Sequence, residues 1–133
     1  MISSRHITEY DYGDIEEAIQ KDPYHRDTTK PEFFYEPGTI CNVYCDEQGP
    51  IFWVRGSSDV DKNLRLDIQY RRNKDVRRNK EAMDIGLPLL EERAKVRGFR
   101  AFLFESTSPH LIKYCTEQLG FTLVSENLLR KEL

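Results

Sequence analysis

Hydrophobic positions along the chain change period several times, and each change marks an element. Residues 64–70 (LRLDIQY) alternate without a break. Leu64, Leu66, Ile68 and Tyr70 fall on one face, and Arg65, Asp67 and Gln69 on the other, the pattern of a half-buried strand. Residues 76–97 change to a period of 3.6. Ala82, Met83, Gly86, Leu87, Leu89, Leu90 and Ala94 make the apolar stripe of a long helix. Pro88 lies inside that stripe and predicts a kink or a split near Gly86, and Gly98 predicts the stop. Residues 100–104 (RAFLF) are apolar on both faces, as a central strand is. Ser108-Pro109 supplies an N-cap and a first-turn proline for a helix whose buried stripe is Leu111, Ile112, Cys115 and Leu119. Gly120 ends it, and residues 121–124 and 128–131 predict a last strand pair.

The first half is less regular. Residues 5–10 read as a strand, and residues 13–21 as a short helix carried by Ile15, Ala18 and Ile19. Residues 39–46 and 51–55, separated by the turn EQGP, predict a hairpin. Residues 21–38 (KDPYHRDTTKPEFFYEPG) hold three of the six prolines together with Phe33, Phe34 and Tyr35. Aromatic side chains are costly to leave in water, so this stretch reads as an ordered loop or short helix packed on the domain. It serves either as a cover or as a contact surface. The order β-α-β-β-β-α-β-α-β(β) predicts an α/β fold with a mixed sheet, antiparallel early and parallel across the long helix.

Composition narrows the function classes. At 133 residues the chain is one domain in length, read as a single domain over 1–133. Seven Phe, seven Tyr and one Trp argue against wholesale disorder. No stretch approaches the ~20 apolar residues of a membrane helix, and the opening MISSRHITEYDYGD has no apolar core of a secretory signal. Three cysteines, an odd count, then fit a reduced, cytoplasmic protein. A net charge of −3 argues against bulk binding to nucleic acid. One local exception stands out. Arg71, Arg72, Lys74, Arg77, Arg78 and Lys80 crowd between the alternating strand and the long helix, opposed only by Asp75. The run is either an anion clamp or a solvated loop. Cys41 and Cys45 share a strand face, but His6, His25 and His110 are scattered, so no metal site is expected.

Two phrases point to a family. LLEERAKVRGFRAFLFES (residues 89–106) and SPHLIKYCTEQLGF (residues 108–121), in that order and spacing, resemble the GNAT superfamily of acetyl-CoA-dependent N-acyltransferases. The resemblance is strongest over residues 64–121. It implies a GNAT-like fold with six to seven strands and three to four helices, acetyl-CoA as co-substrate and an amine as acceptor. It also implies that the strands at 64–70 and 100–105 are parallel neighbours between which the pantetheine arm lies. The main-chain groups of Ile68, Gln69, Tyr70 and Arg71 would hold that arm. The phosphates would sit at the start of the intervening helix, where bare N–H groups and the helix dipole favour an anion.

The sequence departs from the family pattern at that helix start. The glycine-rich loop would fall at Arg78-Asn79-Lys80-Glu81-Ala82-Met83, yet no glycine lies between Gly56 and Gly86. Glu81 takes the place of a small residue. Arg71, Arg72, Arg77, Arg78, Asn79 and Lys80 are therefore the candidate phosphate ligands, with side-chain cations in place of loop amides. The family's frequent acid, a tyrosine, would fall at Thr116; Tyr114 is roughly 200° away around the helix. Acyl transfer needs a base and an acid. Asp67 and Glu105 are the candidate bases, and Tyr114 is the candidate donor to the departing thiolate. Cys115 reads as core. The alternative is a GNAT-shaped module without catalysis that meets a macromolecular partner through the loop around Phe33–Tyr35. A homodimer is also compatible with the resemblance.

Overall fold

The apolar blocks of the sequence become seven strands and three helices among the described residues. Numbered along the chain, the strands are β1 (Ser3–His6), β2 (Ile40–Asp46), β3 (Gly49–Ser58), β4 (Asn63–Tyr70), β5 (Ala101–Glu105), β6 (Thr122–Leu123) and β7 (Leu128–Glu132). The helices are α1 (Tyr12–Gln20), α2 (Val76–Val96) and α3 (Pro109–Gln118). The computed structural model describes residues 1–37, 40–71 and 76–133. The strands form a mixed sheet in the order β1-β2-β3-β4-β5-β7-β6. β4 and β5 are parallel, while β1–β2, β5–β7 and β6–β7 are antiparallel. A parallel pair needs a crossover, and α2 supplies it. Among the described residues no helix is long and apolar enough to cross a membrane.

The chain divides into two compact units, Met1–Arg55 with Ile68–Leu87, and Gly56–Asp67 with Pro88–Leu133. In the first, Ile7, Ile15, Ala18, Ile19, Phe34, Val43 and Trp53 form the apolar centre. The segment expected as one strand over 5–10 is a strand only to His6. The reason is a cap. The Thr8 hydroxyl accepts from the Tyr10 N–H at 3.3 Å, and the Asp11 carboxylate accepts from the Thr8 N–H at 2.9 Å. This reciprocal box starts a 3-10 turn, Glu9–Asp11, that runs directly into α1. Asp11 is buried and also takes two bonds from the Arg5 guanidinium, at 2.8 and 3.0 Å. Burial pushes its carboxyl up, but Arg5 and the Thr8 N–H outweigh that and leave it below the usual carboxylate range.

The turn-rich segment packs as an ordered loop. Its 3-10 turn, Pro31–Phe34, buries Phe34 against the apolar centre, and the Arg55 guanidinium lies 4.1 Å over the Phe33 ring. Elsewhere in this unit Tyr44 stacks on Phe52, with centroids 4.7 Å apart. Gly86 faces that pair. A Cβ there would lie 2.9 Å from Tyr44 Cδ1, so only glycine lets α2 approach the rings.

In the second unit the β4–β5 ladder runs from Asn63↔Ala101 to Leu66↔Phe104, and β5 pairs on its other side with β7. Ala101, Phe102 and Phe104 are buried, as a strand flanked on both sides requires. α3 starts where expected, with the Ser108 hydroxyl accepting from the Leu111 N–H at 3.4 Å. Cys115 is 1% exposed, and burial pushes its thiol up to about 11. Of the kink or split expected at Pro88, the split does not occur, and α2 runs unbroken from Val76 to Val96. Pro88 and Asp84, whose carbonyl loses its donor, both lie on the exposed side of the helix, where water can take the place of the missing N–H. Gly98 stops the helix at φ +83°.

Candidate functional site

The end of β4 and the start of α2, both in the first unit, carry most of the candidate residues. Ile68 is buried, and Tyr70 is half-buried with its ring 5.7 Å from that of Phe52. The Arg71 N–H donates to the Ile51 carbonyl at 2.8 Å, so this main-chain donor is engaged within the unit. The Arg71 guanidinium lies 3.9 Å from Asp14.

Gln69 is a correction. Strict alternation placed it on the solvent-facing side of β4, yet it is fully buried. The end of α1 and the loop after it cover that face and satisfy the amide. Gln69 Nε2 donates to the Tyr70 carbonyl at 2.8 Å and to Asp22 Oδ2 at 3.2 Å, and lies 3.5 Å from the Ala18 carbonyl. Gln69 Oε1 is 2.6 Å from His25 Nδ1, which is also 3.2 Å from Asp22 Oδ2. Sequence reasoning treated His25 as scattered and did not consider Asp22. The available signal was the spacing Asp22-x-x-His25, which suits a turn closing on itself. Nearby, a cleft of about 280 Å³ opens between α1 and the loop, with Glu16, Gln20, Arg26, Asp27 and Lys30 on its walls.

The basic run resolves into different environments. Arg72 lies outside the described residues, as do Lys74 and Asp75. Arg77 and Lys80 are exposed and Asn79 is half-buried. Arg78 is 11% exposed and grips Asp46. Its Nε and Nη2 donate to the two carboxylate oxygens at 2.5 and 2.6 Å, and Nη2 also donates to the Gly49 carbonyl at 3.1 Å. The Arg78 hydrogen bonds hold the Asp46 carboxyl below its ordinary range. The first turn of α2 contains no acidic residue, and Glu81 is exposed in the second.

Three candidates lie in the second unit. Asp67 is half-buried on β4, one residue beyond the ladder with β5. Glu105 ends β5 and pairs with Arg65 at 3.0 Å, both side chains being about half exposed. Tyr114 is half-buried on α3. Thr116, at the position of the family's acid, turns its hydroxyl back onto the helix and donates to the Ile112 carbonyl at 3.0 Å. Cys41 and Cys45 are half-buried and reduced, and burial raises both thiols. No group of three or more His, Cys, Asp or Glu side chains among the described residues is placed to hold a metal ion.

The sheet order, the parallel β4–β5 pair bridged by α2, and the short α3 before the final strands define the GNAT acyltransferase fold. No family model matches the sequence, and no curated protein resembles it significantly in sequence. Solved structures do resemble it in shape. A domain from Methanocaldococcus jannaschii DSM 2661 superposes with a TM-score of 0.76 at 15% identity, over 100% of this chain and 99% of that one. A GCN5-related N-acetyltransferase from Kribbella flavida gives 0.73 at 14% identity, over 99% and 98%. A GNAT family acetyltransferase from Brucella melitensis in complex with acetyl-CoA gives 0.67 at 11% identity, over 100% and 88%. At such identities the shared property is the fold, and it extends over the whole chain.

Proposed function

We propose that the protein is an acyl-CoA-dependent N-acyltransferase that uses acetyl-CoA as co-substrate and an amine as acceptor. The observation that carries this reading is the GNAT fold over the full length, shared with a neighbour solved in complex with acetyl-CoA. The start of α2 supports it. Cations at a helix N-terminus oppose the dipole by about 0.3–1 kcal/mol each. Arg77, Arg78 and Lys80 nevertheless stand in the first turns. Asp46 compensates Arg78, and a bound pyrophosphate would add negative charge beside the exposed Arg77 and Lys80. The main chain of Ile68, Gln69 and Tyr70 would hold the pantetheine arm. Asp67 or Glu105 would assist removal of the amine proton, directly or through water, and Tyr114 would protonate the departing thiolate. Glu105 must leave Arg65 to do so.

The test is calorimetric titration with acetyl-CoA and with coenzyme A. Binding in the micromolar range, about −8 kcal/mol, is expected. Absence of binding at millimolar ligand defeats the reading. It would favour a second one, a GNAT-shaped module with a macromolecular partner. The observation behind that alternative is Arg78, a candidate phosphate ligand whose guanidinium is committed to Asp46 and Gly49.

A further inference from the structure

We infer that His25, in place of Asp67 or Glu105, is the base that deprotonates the amine, with Asp22 and Gln69 setting its tautomer; the inference otherwise rests on the acyl-transfer reading above. The Gln69 amide has only one workable orientation. Its nitrogen side faces three acceptors, the Tyr70 carbonyl, Asp22 Oδ2 and the Ala18 carbonyl, so its oxygen must face His25. His25 Nδ1 therefore meets two acceptors, Gln69 Oε1 at 2.6 Å and Asp22 Oδ2 at 3.2 Å. That nitrogen carries the proton, and Nε2 keeps the lone pair. A carboxylate behind Nδ1–H also stabilises the imidazolium formed when Nε2 takes a proton.

The surroundings fit the task. Gln69 is fully buried, while the His25 side chain is 32% exposed, so the ring is anchored at Nδ1 and remains partly open to solvent. Asp22 is itself fixed by the Tyr24 N–H, which donates to Oδ1 at 2.8 Å. The His25 carbonyl accepts from the Thr28 and Thr29 N–H groups at 3.1 and 2.9 Å, which ties the loop into a turn around the ring. Asp22 is the charged partner on the ring's own loop; β4 presents the neutral Gln69, and α1 presents the Ala18 carbonyl to the Gln69 amide. Gln69 sits between Ile68 and Tyr70, whose main chain is proposed to hold the pantetheine arm, so one side chain separates His25 from that segment. In the step, Nε2 takes a proton from the ammonium, and the freed nitrogen attacks the thioester carbon. The C–S bond breaks as the C–N bond is kept. The departing sulfur takes a proton from Tyr114, the second nitrogen proton restores the Tyr114 hydroxyl, and the imidazolium returns its proton to water.

The test uses bromoacetyl-coenzyme A, whose terminal carbon is electrophilic. Attack by Nε2 forms an N–C bond and releases bromide. The expected result is a label on His25, located by peptide mass spectrometry, lost in His25→Gln and blocked by excess coenzyme A. Gln69→Leu should reduce labelling and shift the imidazole ¹⁵N signals away from the Nδ1–H form, a change that simple loop anchoring does not require. Should His25→Gln fail to fold, labelling and coenzyme A protection of the native protein still decide the matter. Calorimetric binding of coenzyme A without protected labelling of His25 overturns this inference and leaves the acyl-transfer reading standing. No binding of coenzyme A overturns both.

Discussion

Replacing Arg78 by alanine asks whether the start of α2 is held by an ion pair or kept for a ligand. Arg78 makes two charge-assisted bonds to Asp46 and a third to the Gly49 carbonyl, and the two side chains are 11% and 12% exposed. Charge-assisted hydrogen bonds are worth roughly 1.5–3 kcal/mol. Removing the arginine also strands Asp46, at a cost of roughly 3–5 kcal/mol when the site is fully buried. Water reaches one side of this pair, so a loss of about 2–3 kcal/mol is expected. For a chain of this size that lowers Tm by roughly 6–10 °C. Asp46→Asn and the double variant complete the cycle, and the coupling should be at least about 1 kcal/mol. The pH dependence has a definite sign. The Asp46 carboxyl titrates lower in the folded state than when unfolded, chiefly through its Arg78 hydrogen bonds. Its contribution is present above the unfolded carboxylate pKa and is lost as pH falls through the depressed folded value. The acid limb of stability should therefore flatten in Arg78→Ala. Urea unfolding at neutral and acid pH measures both effects, with coenzyme A titration of the same variants. Arg77→Ala, at an exposed position, should leave stability within about 0.5 kcal/mol. It should weaken coenzyme A binding by roughly 1–3 kcal/mol. Wild-type stability in Arg78→Ala would refute the structural role. Loss of coenzyme A affinity in Arg78→Ala but not in Arg77→Ala would refute the division of labour.

Two further changes probe the packing. In Gly86→Ala the new Cβ meets Tyr44 Cδ1 at 2.9 Å, and Tyr44 is buried and stacked on Phe52. Overpacking of roughly 1–3 kcal/mol should exceed the helix-propensity gain of about 1 kcal/mol, so a raised Tm would contradict the packing. Cys115→Asp should destabilise severely, because a carboxylate would enter a site 1% exposed; unchanged melting would refute the placement of α3. In the native protein Cys115, with its thiol near 11, should be the last cysteine to react with a thiol reagent, after Cys41 and Cys45.

What the sequence made legible was periodicity over several turns or strand repeats. β4, β5, α2 and α3 are found within a residue or two of their expected bounds because local pattern and burial agree there. The misreadings arose where a polar contact overrode the pattern. Thr8 and Asp11 close a cap that ends β1 early. Alternation gives the face on which Gln69 lies but not what covers it; its partners Asp22 and Ala18 lie 47 and 51 residues away. Arg78 looked equivalent to its neighbours because Asp46 is 32 residues distant. His25 escaped notice for the same reason, being joined to β4 across 44 residues. Family phrases pointed to the fold through its helix ends and strands, whereas the candidate site depends on contacts that no local spacing displays.

The contrast between α1 and α2 bears on what the basic run is for. α1 carries Asp14 in its first turn, the charge its dipole favours. Among the described residues the first turn of α2 carries cations and no acid, with Asp75 preceding it in the sequence. Asp46 offsets Arg78 from outside the helix, and Asp14 stands 3.9 Å from Arg71 just before it. Arg77 and Lys80 are exposed near the start of the helix. Exposed cations at a helix end where the dipole already favours an anion add to its attraction for one. In a chain of net charge −3, that local excess suits the proposed pyrophosphate, a small and strongly charged ligand, better than an extended polyanion.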